Sequence, residues 1–380
     1  MSRSARPTPP LRLALAFAAS PGLAQTASPL PSPTPAGKKA PPGPIQIQAG
    51  ETLKLRFGIL LQPQADWQER PSGGTAQSFF LRRVQLIVAG QLARDLFFLF
   101  QTDNPRLGSV NASGDKVVSS GFQLVDAVAE WRLAKAFNLW GGQFYVPTSR
   151  EALKGSSSQF ALDTSPYAYV ATAVLGGTAG RDAGFQARGY FLGDRLEYRV
   201  GVFQGLRDAA SGNPLRTVAR VQYGFLDKEV YNLVTYPGAN LGKRRVLALG
   251  AAVDVQGGYR GLTADAFADF PVPFGSVLGS ALYQHLDGGD FAPVLLPESD
   301  TFSVEAGAFF SGSRLGPWAR YERRSFAEPN AGRGESRILV GVNYYVLGNN
   351  LNVKVAWGRT SPKTGNDLDQ LTVQLQAAYF

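Results

Sequence analysis

RDAGFQARGYFLGDRLEYRVGVFQG, residues 181–205, alternates on both sides of the pair Gly193-Asp194. Gln186 and Arg188 share one face before the pair, and Glu197 and Arg199 share one face after it. Leu196, Tyr198, Val200 and Val202 fill the opposite face. Successive side chains of a strand point to opposite sides, so the pattern predicts two strands, 183–192 and 195–204, joined by a tight turn. One face of this hairpin needs water and the other needs an apolar neighbour. A soluble β-sandwich closes its apolar faces over a dry core. A transmembrane barrel turns them outward to lipid and keeps the polar row inside.

The same texture extends in both directions. From 52–65 to 369–380, sixteen segments of about ten residues alternate apolar and polar, separated by clusters of Gly, Asn, Asp and Pro. Val84, Leu86, Val88 and Leu92 make one apolar row, and Ile338, Val340, Val342, Tyr344 and Val346 make another. The opposite rows carry Arg83 with Gln85, Arg220 with Gln222, Arg320 with Glu322 and Arg324, then Asn343, Lys354, Gln374 and Gln376. Aromatic residues near the strand ends are expected to form girdles at the two lipid interfaces. Gly193-Asp194 and Gly348-Asn349 are tight connections, whereas 105–120, 148–182, 287–299 and 361–368 are long. Short periplasmic turns and long outer loops give this asymmetry. One join departs from it: 228–245 falls on the periplasmic side and is long enough to conceal a further hairpin, which would change the strand count by two.

Composition excludes the helical alternative. The 380 residues are 44% hydrophobic and include 43 Gly and 25 Pro, yet no later stretch offers the roughly 20 apolar residues that a spanning helix requires. A closed barrel hides such a composition, because each backbone donor and acceptor is paired between strands. Cys is absent, which removes disulfides and thiolate chemistry together.

The chain divides into three expected parts. Residues 1–24 carry Arg3, Arg6 and Arg12, the apolar run Leu11 to Ala19, and small residues through Ala24, the pattern of a secretory signal peptide. Its removal lowers the formal charge from +9 to +6. Residues 25–50 are crowded with Pro, Ala and Gly and read as a periplasmic linker. Residues 51–380 form the barrel. No basic helix, zinc spacing or aromatic-basic interleaving points to nucleic acid.

FFLRRVQLIVAGQLARDLFFLFQTDNPRLG (79–108), DAVAEWRL (126–133), GGQFYVPTSREAL (141–153) and the opening stretch (181–205) together resemble the phosphate-selective porin O and P family. The likeness extends more weakly from Leu53 to LTVQLQAAYF (371–380). The resemblance implies a homotrimer of sixteen-stranded antiparallel barrels in the bacterial outer membrane. Each pore would be narrowed by an infolded third loop and lined by cations that draw in phosphate or related small anions. It also implies that the terminal Phe380 is the aromatic signal read by the barrel-assembly machinery. Alternation places Phe380 opposite the row Leu371, Val373, Leu375, Ala377 and Tyr379, which departs from the usual arrangement.

The expected anion path is lined by Arg83, Arg188, Arg199, Arg220, Arg320, Arg324 and Lys354. The acids expected in the lumen are Asp126, Glu130, Glu197, Asp254, Asp265, Glu305 and Glu322, so the wall is balanced and the charges are able to pair. Selectivity then depends on the constriction, for which the 148–182 loop is the candidate. It offers the cations Arg150 and Lys154 and the hydroxyls of Ser156, Ser157 and Ser158. The expected behaviour is a weak to moderate anion preference without a tight phosphate site. A non-selective pore and a barrel serving as surface anchor or adhesin are the alternatives. A barrel hydrolase is disfavoured, since His285 is the single imidazole and no hydroxyl stands beside it in a recognisable motif. No metal or organic cofactor is called for.

Overall fold

The computed structural model describes residues 45–380 other than 51, 111–115, 117–120, 208–211, 213 and 231–233. The expected leader 1–24 and the linker as far as Pro44 lie outside the described residues.

Period-two alternation becomes a closed antiparallel barrel. Its first eight strands are β2 (Leu53–Glu69), β3 (Thr75–Ala93), β4 (Leu96–Asp103), β5 (Gln123–Ala134), β6 (Phe137–Tyr145), β7 (Arg181–Phe191), β8 (Leu196–Phe203) and β9 (Arg216–Gly224). The other eight are β10 (Val246–Gln256), β11 (Tyr259–Val272), β12 (Gly275–Asp287), β13 (Ser299–Phe310), β14 (Leu315–Phe326), β15 (Glu335–Tyr345), β16 (Leu351–Pro362) and β17 (Leu368–Tyr379). Each pairs with the next, and β17 closes on β2 with Gln370 opposite Gln68 and Tyr379 opposite Ile59. These sixteen strands are the expected ones, with ends shifted by a few residues.

One strand lies outside that set. Ile45–Ala49, inside the expected linker, forms β1 and pairs with β2, Ile45 opposite Phe57 and Ala49 opposite Leu53. It occupies the stretch of the β2 edge that β17 does not reach.

The two faces separate as the alternation demands. Leu86, Val200, Val202, Ile338, Val340 and Val342 are exposed on the outer surface, while Gln85, Arg188, Arg199, Arg220, Asn343 and Gln374 are buried inside. Contiguous apolar surface on this scale has no counterpart on a soluble monomer and matches the lipid-facing band of a membrane barrel. At the inner strand ends Trp131, Phe137, Phe191 and Phe310 stand exposed, some in stacks such as Phe274 on Phe310 at 5.1 Å. His285 also points outward, near the outer rim, with Nδ1 3.0 Å from Asp300 Oδ1.

Among its described residues the 228–245 join contains no strand, so the count stays at sixteen. It turns into the barrel instead.

Candidate functional site

The connection between β6 and β7 is too long to cap the barrel rim, and its side chains find their partners inside. The Arg150 amide donates to Asp265 Oδ2 at 3.0 Å, which fixes the start of the loop on β11. Further along, the Phe160 ring enters a slot left by two glycines. A Cβ at Gly307 would lie 2.3 Å from that ring, and one at Gly316 3.2 Å from it. Lys354 Nζ then donates to the carbonyls of Gln159 and Ala161 at 2.7 and 2.9 Å. Asp163 crosses to β3, where it pairs with Arg82 and with Arg83 at 2.6 Å. Tyr167 donates to Glu335 Oε1 at 2.7 Å, and Arg216 donates to Thr172 Oγ1 at 3.2 Å. The expected infolded third loop thus touches most of the inner wall.

Two loop acids secure it electrostatically. Burial acts to raise the Asp163 carboxyl, but Arg82 and Arg83 outweigh it and hold the group below the usual carboxylate range. Glu151, buried likewise, is held down to about 2 by Lys154 and Arg320.

The join between β9 and β10 enters from the other end and meets this loop. Tyr236 N donates to Leu153 O at 2.7 Å, and Gly155 N returns a bond to Tyr236 O at 2.9 Å, forming a short parallel bridge at Lys154 and Tyr236. Gly238 N donates to Ser158 Oγ at 2.8 Å and Ala239 N to Ser158 O at 2.7 Å. Glu229 accepts from Arg150 at 2.7 and 2.8 Å. Length alone marked this segment in the sequence, and length carries no direction.

These contacts place each expected site residue. Arg83, Arg188, Arg199, Arg220, Arg320 and Lys354 all face the lumen, but none stands as an open cation. Arg188 and Arg199 converge on Glu197 at 2.6 and 3.0 Å. Arg220 clasps Asp265 at 2.5 and 2.8 Å, and Arg320 is shared among Glu305, Glu151 and the carbonyl of Asp163. Arg324 is only half-buried and donates to Ser299 Oγ at 3.1 Å. The constriction cations are spoken for as well: Arg150 by Glu229, and Lys154 by Glu151 at 2.6 Å. Ser158 is spent on its own turn and on Gly238, whereas Ser156 and Ser157 line a cavity of about 90 Å³ beside Thr235 and Phe380. Charges removed from water in this way are tolerated because they are paired.

Two larger spaces remain. The outer one, about 430 Å³, is lined by Arg82, Arg106, Arg320, Arg337 and Arg359 against Asp66 and Asp163. Arg106 is exposed, stacks on Phe80 at 4.9 Å, and has no carboxylate in ion-pair reach among the described residues. The inner one, about 190 Å³, includes Phe380 in its lining. Phe380 therefore lies on the lumen side, as its parity in the sequence requires. Gly58 makes room for it, since a Cβ there would sit 2.3 Å from Phe380 Cδ2. Arg106 and Arg56, which border these spaces, were missed by the sequence reading because no wall pattern distinguishes a cation left over after pairing.

A closed lipid-facing barrel with a loop-filled polar lumen is the architecture of a pore protein, and comparison with known proteins agrees. Residues 57–229 match the family model for phosphate-selective porin O and P. The protein is an outer-membrane β-barrel with the fold of the porins. Its fold is similar to Salmonella typhi OmpF in complex with daunomycin, with a TM-score of 0.57 at 15% identity over 88% of this chain and 100% of that one. It is also similar to the trimer form of Vibrio cholerae OmpT, with a TM-score of 0.56 at 8% identity over 87% of this chain and 100% of that one. Comparison with curated proteins gives no match to this sequence.

Proposed function

We propose that the porin admits small anions, phosphate-like ones among them, with a weak to moderate preference set at its outer mouth. The observation that carries this reading is the lining of the outer cavity, with five Arg against two Asp. Four of the five also hold acids, Arg82 on Asp163, Arg320 on Glu305, Arg337 on Glu322 and Arg359 on Asp369. Among the described residues Arg106 is the one of the five left with a net field. A cation at a narrow mouth with low-dielectric walls raises the local anion concentration severalfold, and added salt screens it over about 10 Å at 0.1 M. The paired charges of the wall beneath it support shallow binding, which release requires.

The test is the zero-current potential across a planar bilayer holding a KCl gradient. A potential of the sign set by chloride is expected, and a potassium-set sign overturns the reading.

The trimer form of OmpT supports a homotrimer here as well. Light scattering in detergent tests this, with a monomer at every detergent concentration as the refuting result. The outward apolar rows fit lipid as surroundings. The terminal aromatic fits recognition by the barrel-assembly machinery.

A further inference from the structure

The inner cavity differs in kind from the outer one. Its lining includes the rings of Phe97, Trp140 and Phe380 together with Leu99 and Val128, so an apolar solute finds contact on several sides. Its charged side chains are Lys54, Arg56 and Arg132 against Glu130, and Arg132 already holds Glu130 at 2.6 Å. Neither Lys54 nor Arg56 has a side-chain carboxylate in ion-pair reach among the described residues. The Arg56 guanidinium lies over the Phe380 ring at 4.9 Å, and that of Arg132 over the Phe97 ring at 3.4 Å. Guanidinium groups resting on ring faces keep their in-plane N–H donors available.

Two buried donors have no partner there. Among the described residues Arg56 Nε and Trp140 Nε1 find no hydrogen-bond partner, and Trp140 is only 2% exposed. Buried polar groups are nearly always satisfied, so two such donors bordering one cavity are available to an occupant. A bare inorganic anion would satisfy the cations and waste the rings. A neutral ring would do the reverse.

We propose that this cavity is a binding site for small aromatic carboxylates. The ring packs against Trp140, Phe97 and Phe380, and the carboxylate sits on Arg56 with Lys54 beside it. At about 190 Å³ the space suits a single-ring solute and is below the usual size of a drug-sized site. The site rests on the channel reading for the ligand's route, while the binding itself does not depend on conduction.

Calorimetric titration of the detergent-solubilised full chain with benzoate, acetate and benzyl alcohol tests it. Saturable binding of one benzoate per chain is expected, about tenfold tighter than acetate, with no matching saturation by benzyl alcohol. Arg56→Gln should weaken benzoate by about tenfold. Equal affinity for benzoate and acetate overturns the site, as does benzyl alcohol binding as well as benzoate. If Arg56→Gln fails to fold, the three wild-type titrations decide alone. KCl conductance in a planar bilayer reads the channel separately. Current without benzoate binding removes the site and keeps the channel, and benzoate binding without current keeps the site and removes the channel.

Discussion

Both terminal nitrogens of Arg150 clasp the Glu229 carboxylate, at 2.7 and 2.8 Å, and so tie the third outer loop to a segment that enters from the opposite rim. Both partners are almost fully buried. Breaking a buried pair by removing one member costs about 3–5 kcal/mol, because the other charge is stranded. Glu229→Gln should therefore separate the loops. Single-channel records are expected to show larger mean conductance and more flicker than the parent, and identical records would remove the clasp as the closing element.

Selectivity should follow unpaired charge. Arg150→Gln made together with Glu229→Gln deletes one charge of each sign, so the zero-current potential should stay where it is. Arg106→Gln deletes a cation with no counter-charge among the described residues and should roughly halve the chloride preference. A large shift from the double variant with none from Arg106→Gln would reverse this assignment.

The faces can be checked against a background free of native Cys. Gln64→Cys in the outer cavity should react with a membrane-impermeant charged thiol reagent, and Val200→Cys in the lipid-facing row should not. The opposite outcome at either position would mean that its strand is turned over.

Gly58 leaves no room for a side chain while Phe380 is seated. Overpacking of this type costs about 1–3 kcal/mol, so Gly58→Val should lower the temperature at which the folded band is lost on a heat-modifiability gel. Phe380→Ala in the same chain should restore part of the loss. An unrelieved defect would show that the clash lies elsewhere.

Acid should loosen the third loop only well below neutrality. Glu151, at about 2 against an ordinary 4.5, is depressed in the folded state, so its contribution is complete above about 4.5 and is lost as pH falls toward 2. Asp163 shifts in the same direction. Step conductance should accordingly match between pH 5 and pH 8 and become unsteady below about pH 4. A transition centred near pH 6 would assign the gating to another group.

The wall was legible because a barrel imposes one rule on each strand. Leu196 to Val202 declared its outer row within eight residues, and the rule repeated sixteen times fixed both the strands and their faces. The lumen obeys no local rule. Arg83 meets Asp163 80 positions away, and Arg320 meets Glu151 169 positions away, so counting charges on the wall omitted the loop acids that neutralise them. The same distance effect hid the inward course of 228–245 and left Arg106 and Arg56 unremarked. Phe380 lay between these cases: parity gave its side, but its neighbour Gly58 belongs to the strand at the far end of the chain.

Since β1 already bonds the edge of Leu53–Phe57, the last strand can advance along β2 only as far as Ile59. A slip of one residue would turn a whole strand inside out, placing Leu375 in the lumen and Gln374 against lipid. The seam is where such a slip is easiest, being the one pairing between residues more than three hundred positions apart. A five-residue strand beside β2 stands there as a doorstop, marking where the closing strand's pairing ends.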